Sequence, residues 1–137
     1  LPNRGRTSRA PPMAGELLKA VEHFLDEEIV PNTQGTRQFH ARVAANVLRI
    51  LAREWEQEDG HLAEEWTGLD DLLGPEPRPP SRRALREALA RRNEQLCERI
   101  RAGEADAGPF HERTLAHVRR TVHAKLLIDN PAWLEGT

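Results

Sequence analysis

Apolar residues recur every three or four positions along most of the chain, and this spacing is the feature that most constrains the fold. It predicts helices at about 13–30, 36–58, 61–73, 81–102 and 109–129. No stretch alternates apolar and polar residues with a period of two, and tyrosine is absent, so strands are not expected. The pattern therefore predicts an all-α fold, a compact bundle of about five helices.

The second predicted helix, at about 36–58, is apolar on two sides. One arc of its helical wheel holds Phe39, Val43, Val47 and Ile50, and the opposite arc holds Ala44, Leu48, Leu51 and Trp55. A helix that is apolar on two sides is usually surrounded by other helices. We therefore predict that the second helix is central in the bundle.

Chain length and composition predict one helical domain. A chain of 137 residues has the size of a single domain. We place this domain at 13–134, after an irregular arm rich in arginine and proline at 1–12. A proline-rich internal linker is predicted at 74–80, and a short tail at 135–137.

Charge and cysteine content argue against several classes of protein. A net charge of −2 disfavours a nucleic-acid binder, which usually has a strong basic excess. No apolar run approaches the roughly 20 residues that span a membrane, and no apolar segment follows the basic start, so neither a membrane segment nor a secretory signal is expected. The single cysteine, Cys97, fits a reducing cytoplasm, and its place on an apolar helix stripe predicts that it is buried.

The familiar motifs of catalytic and metal sites are missing from the sequence. His111, His117 and His123 are six residues apart, which turns a helix by a net angle of about 240°, so the three cannot share one ion. The zinc motif that begins at His111 has Leu115 where the second ligand belongs. Neither serine lies in a nucleophile elbow, and no glycine-rich loop cradles a phosphate. The sequence therefore predicts no catalytic residue, no metal and no cofactor.

Opposite charges are segregated along the chain. Residues 54–71 hold eight acids and no lysine or arginine. The next predicted helix opens with five arginines, namely Arg82, Arg83, Arg86, Arg91 and Arg92. Two solvated faces that attract each other explain this pattern most simply, at about 0–1 kcal/mol for each pair. A docking surface for a charged partner is the alternative.

Several polar residues fall on or beside helix faces that are otherwise apolar. The set comprises His40, Arg42, Asn46, Arg53, Lys125, Asp129 and Asn130. Because burying such groups without partners would cost several kcal/mol, we expect them to pair with one another or with a ligand. One interpretation is a structural network between the second and fifth predicted helices. The other is a polar pocket between the same helices that takes an anionic or carbonyl group.

Four separated segments, at 16–25, 39–48, 96–104 and 125–133, resemble a bacterial family of small helical proteins of unknown function. Members of this family occur beside, or fused to, aminoglycoside-phosphotransferase-like kinases and acyl-CoA dehydrogenases. The resemblance covers about 13–134 and does not extend to the arm. It carries over no catalytic residues. The residues that match the recurring pattern of the family are Phe39, His40, Arg42, Asn46, Lys125, Asp129, Asn130 and Pro131.

The resemblance implies an accessory subunit for a kinase that phosphorylates a hydroxyacyl-CoA, with an acyl-CoA dehydrogenase as a further candidate partner in acyl-CoA and hydroxyacid catabolism. Our first hypothesis is therefore a non-catalytic interaction subunit. The alternative is a small-molecule binder or minor enzyme for an anionic or acyl-CoA-type ligand at the polar set. A homodimer is also left open, because the fourth predicted helix carries an apolar seam formed by Leu85, Leu89, Leu96 and Ile100.

Overall fold

The computed structural model describes residues 13–136, and all regular structure in that part of the chain is helical. Its four α-helices are α1 (Ala14–Phe24), α2 (Gly35–Leu73), α3 (Arg82–Arg101) and α4 (Pro109–Asp129). A π-helical turn (Leu25–Ile29) continues α1, and a 3-10 turn (Pro131–Leu134) follows α4. The all-α prediction is confirmed, whereas the prediction of five helices is wrong by one. The predicted arm and the last residue of the predicted tail lie outside the described residues.

The boundary predicted between the second and third helices is absent, because both predicted helices belong to one helix of 39 residues, α2. Only Gly60 interrupts the helical pattern there, and its φ is not positive. One glycine in a helix interior costs about 1 kcal/mol relative to alanine, which is too little to end a helix that no proline interrupts. The helix instead ends at Leu73, before Gly74, which adopts a φ of 97° and donates its N–H to Asp70 O at 3.0 Å.

The chain divides into two compact units, one up to Trp55 and one from Glu56 onward. We call their described parts unit 1 (residues 13–55) and unit 2 (residues 56–136). Helix α2 contributes to both units. The prediction of a single domain over 13–134 stays a prediction.

Unit 1 is a helical hairpin in which α1 and the first half of α2 run antiparallel. Three contacts fix this direction, because positions later in α1 meet positions earlier in α2. Gly15 lies so close to Trp55 that a Cβ on the glycine would be 3.5 Å from Cδ1 of the indole. Arg49 pairs with Glu22 at 2.8 Å, and the Gln38 side chain donates to Val30 O at 3.1 Å. Small buried residues of α2 allow this approach, namely Ala41, Ala45 and Ala52.

The core of unit 2 is formed by α2 and α3. It consists of six large buried residues, Trp66, Leu69, Leu72, Leu85, Leu89 and Leu96. The apolar seam that we considered for a dimer therefore packs inside the unit, with only Ile100 exposed. Cys97, which we predicted to be buried, is exposed beside this core. It lies one residue past Leu96, on the side of α3 that turns away from α2.

The acid-rich part of α2 and the arginines of α3 attract each other within unit 2, as the simpler interpretation predicts. Arg82 pairs with Asp59 at 2.8 Å, and Arg86 pairs with Glu58. Both arginines remain 33–50% exposed although Glu58 is only 12% exposed, so each pair contributes only about 0–1 kcal/mol. The segregated charges of the sequence are therefore explained by helix packing.

Arg92 is the exception among these arginines, because its side chain is only 1% exposed. It donates to the carboxylate of Asp70 at 2.6 Å and to Gly74 O at 2.6 Å, and its guanidinium lies 4.5 Å from the ring centre of Trp66. The indole N–H of Trp66 donates in turn to Glu76 O at 3.3 Å. These contacts hold the start of the proline-rich segment at 74–80 against the end of α2.

Candidate functional site

The polar residues predicted in the second helix are placed on the solvent side of unit 1. His40, Arg42 and Asn46 are exposed, and Arg53 is half-buried. The apolar arc around them faces solvent as well, since Phe39 is 63% exposed. The ring of His40 packs edge-on against Phe39, with ring centres 5.6 Å apart. Our expectation that this arc lies inside a bundle is therefore wrong, and α2 is not enclosed there.

The polar residues predicted at the end of the last helix belong to unit 2. Lys125, Asp129 and Asn130 are all exposed, in the last turn of α4 and just after it. Asn130 ends the helix, since its N–H donates to Leu126 O at 2.9 Å while its own φ is −157°. Four of the seven predicted residues thus belong to unit 1 and three belong to unit 2.

A row of large apolar side chains runs along the exposed side of α2 in unit 1. It follows intervals of four residues and comprises Phe39, Val43, Val47, Leu51 and Trp55, which are 42–63% exposed. We call this row the α2 stripe. Helix α1 adds a parallel exposed row of Met13, Leu17, Val21 and Phe24.

These two rows share one face of the hairpin. Arg49 marks the opposite face, where it bridges Glu22 at 2.8 Å and Asp26 at 3.1 Å. On the wheel of each helix, at 100° per residue, the α1 row and the later part of the α2 stripe (Val47, Leu51 and Trp55) lie on the opposite side of the line of contact from the salt-bridging residues, whereas Phe39 lies about 80° from Arg49. Unit 1 is therefore an amphipathic hairpin with a charged face and an exposed apolar face.

A second exposed apolar row lies on α4 in unit 2. Leu115, Val118 and Val122 are 36–50% exposed, and we call this row the α4 stripe. Lys125 and Asp129 continue the same side of the helix, as their spacing predicts. Trp133, in the turn after α4, is 70% exposed. The polar residues singled out in the sequence thus border an exposed apolar surface.

A groove of about 470 Å³ lies between α2 and α4 within unit 2. Helix α2 supplies one wall, with His61, Glu64, Glu65, Gly68 and Asp71, and α4 supplies the other, with His117, Arg120, Thr121 and Ala124. We call it the histidine groove. Gly68 makes the groove possible, because a Cβ there would lie 2.7 Å from Cε1 of the His117 ring and closer still to Nδ1.

The two histidines of the groove have unusual surroundings. His117 is only 4% exposed, and burial lowers its pKa, an effect that the carboxylate of Glu65 opposes and the charge of Arg120 reinforces. At neutral pH the ring is therefore the uncharged imidazole. The Nδ1 atom of His61 is buried and has no hydrogen-bond partner among residues 13–136. Such rings can donate or accept a hydrogen bond to a molecule in the groove.

The sequence alone did not predict this groove. Its spacing led us to test His117 only as a metal ligand together with His111 and His123, which point to other sides of the helix. Within the described part of the chain, no cluster of three or more His, Cys, Asp or Glu side chains could hold a metal ion. The signal that could have revealed the groove is Gly68, a glycine in mid-helix, which indicates a close approach by another side chain.

Comparison with known families adds one finding. The chain matches the family described as a domain of unknown function, DUF6285, over residues 31–133. This match covers well over half of the chain. The chain belongs to the DUF6285 family. No curated protein and no solved structure matches it.

The DUF6285 match includes some of the exposed surfaces described above and leaves out others. The α2 stripe, the α4 stripe and the histidine groove all lie within the matched residues, whereas α1 lies before them. The family description names no reaction and no ligand. In the described part of this DUF6285 chain, no helix is both long and apolar enough to cross a membrane.

Proposed function

We propose that the chain is a helical interaction subunit, which acts by binding another protein and carries out no reaction of its own. The observation that supports this proposal is the number of large apolar side chains that meet solvent. Within residues 13–136, fourteen of them are at least 36% exposed, whereas only six are buried. Contiguous apolar patches on monomeric proteins rarely exceed a few hundred Å², and larger ones mark interaction sites.

The partner implied by the family resemblance is an aminoglycoside-phosphotransferase-like kinase that acts on a hydroxyacyl-CoA, and an acyl-CoA dehydrogenase is the second candidate. We place the kinase contact at the α4 stripe. Val118 and Val122 would form its apolar centre, and Lys125 and Asp129 would lie at its rim. An apolar centre with a polar rim is the usual arrangement of a protein interface.

Co-purification with the kinase tests this proposal. The kinase, expressed together with the tagged chain, is expected to co-purify with it. The double variant Val118→Glu/Val122→Glu should weaken binding by at least about tenfold, because it buries unpaired carboxylates in the interface. The matched control is His123→Glu, which adds the same carboxylate at an exposed position next to Val122 but about 100° further around the helix. Failure of the wild-type pair to co-purify, or equal binding by the double variant, would contradict the proposal.

A second candidate function, a small-molecule binder, is favoured by the histidine groove. Its volume of about 470 Å³ falls within the range of ligand pockets, about 300–1,000 Å³. Three carboxylates line it, those of Glu64, Glu65 and Asp71, against one guanidinium, that of Arg120. This balance favours a ligand with an ammonium or another donor group over the anionic or acyl-CoA-type ligand that we first considered.

A matched pair of small molecules separates these alternatives. Butylamine and butyrate have similar size and opposite charge, and their binding is followed through the NMR signals of the imidazole rings of His61 and His117. The second candidate function predicts saturable shifts with butylamine that are lost in Ala124→Phe, which places a ring in the groove. Saturable shifts with butyrate alone would contradict the cationic preference. If neither molecule shifts the signals, the groove is not a binding site for charged molecules of this size.

A further inference from the structure

We infer that two copies of the chain associate through the α2 stripe, with a twofold axis that passes beside Val47. This inference concerns a different surface from the proposed kinase contact and does not depend on the kinase. It is carried by three properties of the hairpin in unit 1, which are the symmetry of the stripe, its area and the charges beside it.

The α2 stripe is nearly symmetric about its central residue. Val43 and Leu51 lie four residues before and after Val47, and Phe39 and Trp55 lie eight residues before and after it. A row at intervals of four residues forms one ridge of a helix, and two such ridges pack against each other at a crossing angle of about −50°. A twofold interface pairs residue i of one copy with residue j of the other and j with i, and only a residue on the axis meets its own mate, so this stripe can pair with a copy of itself.

The sizes of the side chains fit such a crossing. Val43 of one copy would face Leu51 of the second copy on either side of the central valines. Phe39 of one copy and Trp55 of the other would come to the same end of the ridge. Crossing helices diverge away from their point of closest contact, and the largest side chains stand where the gap is widest. The aromatic residues at the two ends of the stripe can therefore fill the wider gap there, while the smaller aliphatic residues fit the narrow gap at the centre.

The exposed area is close to what a stable dimer requires. The stripe and the parallel row on α1 together hold nine large apolar side chains, each 42–70% exposed. If each of the three aromatic residues offers half of about 150–250 Å² and each of the six aliphatic ones half of roughly 60–120 Å², the exposed apolar area is about 400–700 Å². A standard protein interface buries about 800 Å² on each partner, of which a little over half is non-polar. The apolar area of one hairpin is thus sufficient for the non-polar part of a specific interface.

The charges beside the stripe also suit self-pairing. His40 and Glu54 lie seven residues before and after Val47, so the twofold axis would bring the imidazole of one copy near the carboxylate of the other. An imidazole N–H can donate a hydrogen bond to such a carboxylate. The salt bridges of Arg49 lie on the other face of the hairpin and would stay in water.

Sedimentation equilibrium of the whole chain provides the first test. The wild type should have the mass of a dimer. Val47→Glu should raise the dissociation constant by at least about tenfold, because the axis brings its two carboxylates together. The matched control is Arg42→Glu, which is exposed outside the stripe and should leave the dimer intact. A monomeric wild type, or a Val47→Glu dimer as tight as the wild type, would overturn the inference.

Crosslinking tests the position of the axis and does not require a destabilising charge. In a Cys97→Ser background, Val47→Cys is expected to form a disulfide between copies under mild oxidation, because only a residue on the axis meets its own counterpart. Arg42→Cys in the same background should stay reduced. A crosslink at position 42 without one at position 47 would overturn the inference. The kinase test stays independent, since Val47→Glu should still bind the kinase and Val118→Glu/Val122→Glu should still form the dimer.

Discussion

At the scale of single residues, Gly68 determines whether unit 2 can pack as it does. Gly68→Ala is expected to destabilise the protein by about 1–3 kcal/mol, because the new Cβ would overlap the buried ring of His117. The matched control is Gly60→Ala in the same helix, where nothing lies within 4 Å of the new Cβ. That change should stabilise the protein by about 0.5–1 kcal/mol through helix propensity alone. Urea denaturation measures both, and a stabilising Gly68→Ala would contradict the packing described.

His117 should make stability depend on pH. Its pKa in the folded chain lies below the ordinary value of 6.5, mainly because the ring is buried. Between these two pKa values the unfolded chain binds a proton that the folded chain does not, so stability falls as the pH is lowered through 6.5. The slope from this one proton cannot exceed about 1.4 kcal/mol per pH unit.

Urea denaturation between about pH 8 and pH 5 measures this effect against the background of other groups. His117→Gln should lose part of the slope that the wild type shows near pH 6. His123→Gln, at an exposed position on the same helix, should keep the wild-type slope. Parallel curves for the wild type and His117→Gln would show that the folded chain binds the proton as readily as the unfolded one.

At the scale of elements, the end of α2 depends on arginines that come from other helices. The last carbonyl groups of an α-helix have no partner within the helix. Here Arg92 donates to Gly74 O at 2.6 Å and Arg99 donates to Leu72 O at 3.0 Å, and Arg113 donates to Asp71 O. Positive charge near a helix C-terminus is also favourable. Arginine side chains of α3 and α4 thus satisfy carbonyl groups at the end of the long helix α2.

Arg92→Ala is therefore expected to destabilise the protein by about 2–4 kcal/mol, because it removes a buried side chain and leaves the part-buried Asp70 carboxylate and Gly74 O without their partner. The neighbouring Arg91 is the matched control. It is half-exposed and pairs with Glu76 at 2.8 Å, and its hydrogen bond lowers the pKa of that carboxyl. Arg91→Ala should cost far less, because an exposed ion pair contributes little to stability. Equal losses for the two variants in urea denaturation would contradict the distinct role of Arg92.

Most helix boundaries could be predicted from local chemistry. Ser81 precedes α3 and accepts a hydrogen bond from the N–H of Ala84 at 3.1 Å, as an N-cap serine should. Pro109 begins α4, and Gly103 follows α3 with a φ of 85°. The turn predicted near Gly60 was wrong because acidic residues and one glycine resemble a loop in composition, although none of them prevents a helix.

At the scale of the whole molecule, the apolar arcs could be predicted but their burial could not. A helical wheel shows that Val47 and Val122 lie on apolar faces, yet it does not show whether the same chain covers those faces. Both are exposed, and so are the polar residues beside them, such as Asn46 and Lys125. Exposed members of the polar set, such as Asn46 and Lys125, therefore lie on surfaces that another chain can cover.

The mass of the purified assembly tests the central claim, that the chain acts by binding other proteins through its exposed apolar rows. Light scattering of the chain co-expressed with the kinase gives this mass directly. We predict a complex that contains two copies of the chain together with the kinase. A monomeric chain without bound kinase, at every concentration measured, would contradict the claim.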